Sequence, residues 1–189
     1  MHGMQTEAGT PIGAHQTEST RPRRRTIALL VGVAVLGYTL DQLTKAWAVR
    51  SLQPGVPKPV IGELLQLELV RNPGAAFSFA TNATWVLTVI AIVVIGVVCF
   101  IARRLRSWPW ALALGLLLAG ALGNLTDRFV RPPGGGQGHV IDFLRLPHWP
   151  VFNVADMCVV TAACLIALLA FRGVGIDGQR QHDVPDDAS

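Results

Sequence analysis

Residues 83–102 read ATWVLTVIAIVVIGVVCFIA, twenty positions without a charged or amide side chain. About 20 apolar residues in a helix cross the hydrocarbon core of a bilayer. A helix also leaves no backbone group unpaired there. Working outward, Thr26–Val49, Trp108–Thr126 and Val151–Phe171 are three further segments of similar length and character. The whole chain agrees with this reading: of 189 residues, 51% are hydrophobic and 15% charged, and the mean hydropathy is +0.43. A soluble domain carries about 25% charged residues. The composition excludes a disordered chain and a nucleic-acid-binding tail protein, and no nucleic-acid partner is expected despite a formal charge of +4. The expected fold class is an all-α membrane protein: four transmembrane helices with a small extracytoplasmic β-sheet/loop region.

The basic residues orient the spans. Arg21, Arg23, Arg24 and Arg25 precede the first, Arg103, Arg104 and Arg106 fill the link between the second and third, and Arg172 follows the fourth. The positive-inside rule places these in the cytoplasm, with both termini. The loops 50–82 and 127–150 then lie outside, although they also carry six basic residues. Trp47, Trp85 and Trp149 mark outer ends of spans, and Trp108 and Trp110 an inner end, as an interfacial belt requires. Three parts are expected: a disordered basic cytoplasmic arm over 1–25, a four-helix domain over 26–172, and a disordered cytoplasmic tail over 173–189. The arginine run before an apolar stretch resembles a secretory signal. Without a small-residue cleavage site after it, an uncleaved first helix is the better reading.

In the first outer loop, Leu65, Leu67 and Leu69 alternate with Gln66, Glu68 and Val70, the period of a strand with one apolar face. Asn72-Pro73-Gly74 then predicts a turn. A small surface sheet is expected, though this segment alone fits a plain connecting hairpin better. Cys99, Cys158 and Cys164 sit in apolar runs without metal-type spacing and read as reduced structural thiols.

The informative residues are polar groups at membrane depth, each costing about 2.5–3.5 kcal/mol on insertion scales if charged at a helix centre. With the orientation above, Asp41, Lys45, Asn124, Asp127, Arg128, Asn153, Asp156 and Asp142 all fall near the outer leaflet. Asn124, Asp127 and Arg128, at i, i+3 and i+4, share a helix face, as do Asn153 and Asp156. Ala119, Gly120 and Gly123 permit close helix approach. Asp41 with Lys45, and Asp127 with Arg128, read first as local ion pairs. Asp156 has no basic neighbour. Asp142, in a loop, reads from spacing alone as a solvated acid. His139 and His148 lack the spacing of a zinc site, so neither metal nor other cofactor is expected. Two facing carboxylates cannot both ionise easily and share a proton, which suits them to general acid–base hydrolysis of a peptide. Spacing does not choose the pair.

Five segments together resemble the lipoprotein signal peptidases, or signal peptidase II: Asp41-Gln42-Leu43-Thr44-Lys45, Asn72-Pro73-Gly74-Ala75-Ala76-Phe77, Gly123-Asn124-Leu125-Thr126-Asp127-Arg128, Val140-Ile141-Asp142-Phe143 and Phe152-Asn153-Val154-Ala155-Asp156. They stand in the family's order over roughly 30–170. The resemblance implies an aspartic endopeptidase with Asp142 and Asp156 as the catalytic pair. It implies that Asn124, Asp127, Arg128 and Asn153 line and brace the site. Asn72 and Gly74 would help hold substrate, and Asp41 and Lys45 would be a supporting pair. The implied substrate is a diacylglyceryl-modified prolipoprotein, cut before its lipidated cysteine in the bacterial cytoplasmic membrane. Membrane lipid is the other implied partner, and a monomer is expected. The chain departs from the family in a Pro/Gly-rich insertion at 132–138, expected to be flexible. It also has Met157-Cys158 after Asp156 and a long amino-terminal arm. A small proton-coupled transporter is the alternative, but it needs polar groups through both leaflets, and the inner halves of the spans are almost wholly apolar. A structural subunit would need fewer polar residues at one depth.

Overall fold

The computed structural model describes residues 20–74 and 84–179. In chain order the elements are α1 (Thr20–Ser51), β1 (Lys58–Ile61), β2 (Leu65–Asn72), α2 (Thr84–Ala102), α3 (Trp108–Val130), β3 (Val140–Arg145) and α4 (Val154–Phe171). All four helices are long and apolar enough to cross a membrane. The expectations for residues 1–19, for Ala75, Ala76 and Phe77, and for 180–189 lie outside the described residues.

The helix α3 is the spine. It packs along α1 and α4 and is the main support of α2. Small residues make this possible. A side chain at Gly120 would run into the Ala155 carbonyl and Val159 of α4, and one at Gly123 into the Asp41 carboxylate of α1. The sheet end of the bundle, where α1 and α3 finish and α2 and α4 begin, carries one antiparallel sheet in the order β1-β2-β3. Leu69 of β2 and Ile141 and Phe143 of β3 pack on Ala48 and Leu52, covering the end of α1. The far end is closed by Leu30, Val98, Leu105, Ala111 and Leu114.

Four sequence expectations are corrected. Asp142 is not a loop residue: it lies in β3, opposite Val70 of β2. All of Val140–Phe143 is buried, so the strand has no solvent face to reveal its period. The insertion 132–138 is not loose. Its glycines 134–136 have positive φ and turn the chain back on α3. Gly136 N and Gly138 N both donate to Arg128 O, at 3.0 and 2.8 Å, capping that helix end, while the Thr88 hydroxyl of α2 donates to Gly136 O. Residues 20–25 belong to α1 rather than to an arm. Residues 173–179 are built into the far end: Arg106 N and Ser107 N donate to Ile176 O at 3.1 and 3.0 Å, and Ile176 packs on the core. Trp110 turns inward to donate to Val174 O at 2.8 Å.

The close approach of α3 and α4 gives a direct test. Gly120→Ala should lower stability by about 1–3 kcal/mol through overpacking. Gly96→Ala, which meets open space, should change little. Unfolding midpoints of the two variants in one detergent check this, and equal midpoints would contradict the packing.

Candidate active site

The polar residues that the sequence placed at one depth gather at the sheet end of the bundle, and all but Arg128 meet side-chain or backbone partners there. The centre of the assembly is Lys45. It and Asp41 are 0% exposed, and its ammonium lies 2.9 Å from Asp41 Oδ2 and 2.8 Å from Asp127 Oδ2. It also donates to Asn124 Oδ1 at 3.0 Å. The expected Asp41–Lys45 pair is present but is not merely local, because Lys45 joins α1 to α3. The expected Asp127–Arg128 pair is absent. Asp127 bonds Lys45, Arg131 Nε at 2.5 Å and the backbone N–H of Ile141 at 3.2 Å. The i, i+4 spacing of Asp127 and Arg131 was the available signal for this contact. Gln42 was likewise missed: it bridges Asp41 Oδ2 and Gly123 O at 3.0 and 3.2 Å.

Asn153 fixes the two aspartates singled out by the resemblance. It is the N-cap of α4 and forms a capping box with Asp156. Asp156 N donates to Asn153 Oδ1 at 3.0 Å, and Asn153 N to Asp156 Oδ2 at 3.1 Å. The same Asn153 amide donates to Asp142 Oδ1 at 2.6 Å. Asn72, at the end of β2, donates to Asp142 Oδ2 at 2.9 Å, and its own Oδ1 accepts Gly74 N at 2.8 Å. Asn124 donates to Asp156 Oδ1 at 2.8 Å. Asp41 Oδ1 accepts Ala155 N at 2.9 Å, a second bond to the start of α4. Phe152, paired with Leu144 across the sheet, explains why α4 starts at Val154 and not at Val151.

The electrostatics are uneven. Asp142 is 2% exposed. Burial pushes its carboxyl up to about 7; hydrogen bonds from Asn72 and Asn153 and the charge of Lys45 pull downward, while the charge of Asp156 adds to the rise. Asp156 is half-buried and opens on a cleft of about 370 Å³. The polar end of that cleft is Asn72, Gly74, Asn124, Arg128 and Asp156, and its walls are apolar residues of α2 and α3 such as Leu87, Ile90, Val94 and Leu117. Arg128 is buried, and its Nη1 has no hydrogen-bond partner among the described residues. Among those residues no group of three or more His, Cys, Asp or Glu side chains could hold a metal ion.

Comparison with known proteins gives a consistent answer. The sequence model of the family described as signal peptidase (SPase) II matches residues 33–172. A lipoprotein signal peptidase of Rhodococcus jostii is 51% identical over 172 residues, covering 90% of this chain and 85% of the relative. One from Mycobacterium tuberculosis is 50% identical over 179 residues, covering 94% and 87%. A bacterial membrane enzyme solved by the in meso method at 1.9 Å resolution superposes with a TM-score of 0.69 at 26% identity, covering 77% of this chain and 94% of that one. A second, solved at 2.3 Å, has a TM-score of 0.71 at 24% identity, covering 86% and 96%, and supports the fold. The match spans all five motif segments, the last three helices and α1 from residue 33 onward, and this membrane-embedded chain therefore belongs to the signal peptidase II family of proteases.

Proposed function

We propose that the protein removes signal peptides from diacylglyceryl-modified prolipoproteins, cutting before the lipidated cysteine, with Asp142 and Asp156 as a dyad that shares one proton. The observation that carries this reading is Asn153, which bonds both the buried Asp142 and Asp156, the acid at the polar end of an otherwise apolar cleft. A water between the acids attacks the scissile carbonyl carbon. Asp156 takes the proton of that water, and Asp142, the more buried acid, carries the shared proton and donates a hydrogen bond to the carbonyl oxygen. When the tetrahedral species collapses, the C–N bond breaks and the proton held by Asp156 passes to the leaving nitrogen. Arg128 Nη1, without a hydrogen-bond partner among the described residues, supplies a donor to the bound peptide, and the apolar walls of α2 and α3 receive its lipid and signal helix. Lys45, Asp41, Asp127 and Asn124 hold the frame.

The setting belongs to the same proposal. Both termini lie in the cytoplasm, with the sheet end and the aspartates near the outer leaflet of the bacterial cytoplasmic membrane. The chain works as a monomer, since both acids and their braces come from one copy. The arginines at the start of α1 and in the α2–α3 link support this orientation.

Asp142→Asn and Asp156→Asn should each lower cleavage of a lipidated precursor by about 10²–10⁴-fold while the protein stays folded. Undiminished turnover in either variant defeats the dyad, and strong inhibition by a chelator would point to a metal instead. The pH profile should show a falling limb with an apparent pKa near 7, because the monoprotonated dyad is lost as pH rises through that value. Activity held level to pH 9 would count against a shared proton. Lys45→Met leaves the buried Asp41 without a cation and Asp127 with Arg131 alone, and should cost about 3–5 kcal/mol of stability, read as a lowered unfolding midpoint in detergent.

A further inference from the structure

A second cavity, of about 430 Å³, lies outside the cleft. Its walls are Pro132, Pro133 and Ile141, and its polar groups are Arg71, Arg131 and His139. The pairing of β2 with β3 sets Arg71 opposite Ile141 and Val70 opposite Asp142. Successive strand residues point to opposite faces, so Arg71 and Ile141 lie across the sheet from Asp142. No carboxylate lines this cavity among the described residues. The acid that touches Arg131, Asp127, is already engaged by Lys45 and Ile141 N and takes only the Nε of the guanidinium. The rest of the Arg131 fork is available, and its side chain is 25% exposed. Arg71 is exposed and forms no ion pair among the described residues. Two guanidinium groups, with an imidazole beside them, line one pocket that no carboxylate lines among the described residues. Such a site concentrates anions.

The surroundings select the anion. Phe129 and Val130, just before Arg131, are exposed, as are Trp47 and Trp149 at the same end of the bundle. Exposed aromatic side chains at span ends mark the headgroup layer. Paired guanidinium groups suit phosphate oxygens, and the proline and isoleucine walls suit glycerol and the first acyl carbons. We infer that Arg71, Arg131 and His139 form a binding site for the phosphate of an anionic glycerophospholipid, on the face of the sheet turned away from the aspartates. The bound phosphate fixes Arg131, whose Nε holds Asp127 in the network around Lys45. This site does not depend on the cleavage reaction.

Native mass spectrometry of the full chain in neutral detergent tests the site, with dioleoyl phosphatidylglycerol, dioleoyl phosphatidylcholine, soluble glycerophosphate and an acidic peptide as separate probes. Phosphatidylglycerol should be retained in preference to the other three. Arg71→Gln and Arg131→Gln should each weaken its binding about fivefold, while Arg106→Gln, at the far end, should not. Arg131→Gln also loosens Asp127, so Arg71→Gln, which breaks no ion pair among the described residues, decides the matter should the other variant misfold. Equal binding of the two lipids, or wild-type affinity in Arg71→Gln, overturns the site. Glycerophosphate or the acidic peptide binding as well as phosphatidylglycerol overturns its assignment to lipid.

Discussion

One ammonium group holds this bundle's functional end together. Lys45 lies buried between Asp41 of its own helix and Asp127 of α3. Burying a single charge away from water costs several kcal/mol, and a buried ion pair recovers that only with good geometry and full hydrogen bonding. Here both conditions hold. Lys45 uses two carboxylates and one amide oxygen; Gln42 and Ile141 N donate to the same Oδ2 atoms of Asp41 and Asp127 that it binds, and the Oδ1 atoms take Ala155 N and Arg131. Each of those partners belongs to a different part of the chain. The cluster therefore fixes α1, α3, β3 and the start of α4 relative to one another, with directional bonds that apolar helix packing does not supply.

The glycines of α3 and this ion cluster depend on each other. Gly123 has no side chain where Asp41 comes in, and Gly120 lets the α4 backbone approach α3. Only at that spacing does Asn124 reach both Lys45 and Asp156. The apolar parts of the four helices supply burial and span length. Small residues set the distances, and the polar network sets the register.

Much of this was legible from sequence. Span positions followed from apolar runs, and the gathering of polar groups at one end followed from helix direction. What escaped was partner identity. Asp127 stands beside Arg128 in sequence, yet adjacent helical residues point about 100° apart, so Arg128 faces the cleft and Arg131, one turn on, takes the carboxylate. Asp142 was read as a loop acid because β3 is covered on both faces and shows no alternation. Asn153 and Asp156 were recognised as sharing a face, but their capping box was not read, although Asn followed by an acid three residues later is its signature. The glycine run 134–136 suggested looseness from composition alone. Its positive φ angles instead fold the insertion into a cap on α3.

The capping box has a mechanical consequence. Because Asp156 closes the first turn of α4, its carboxylate cannot swing outward without uncapping that helix. On this side the cleft is as stiff as the secondary structure itself. The opposite wall is α2, which leans mainly on α3 and is fastened at its beginning by the bonds of Thr84 to Pro73 O and Thr88 to Gly136 O. The two sides of the cleft are thus held by different means, one by the cap of α4 and the other by helix packing and two threonine bonds.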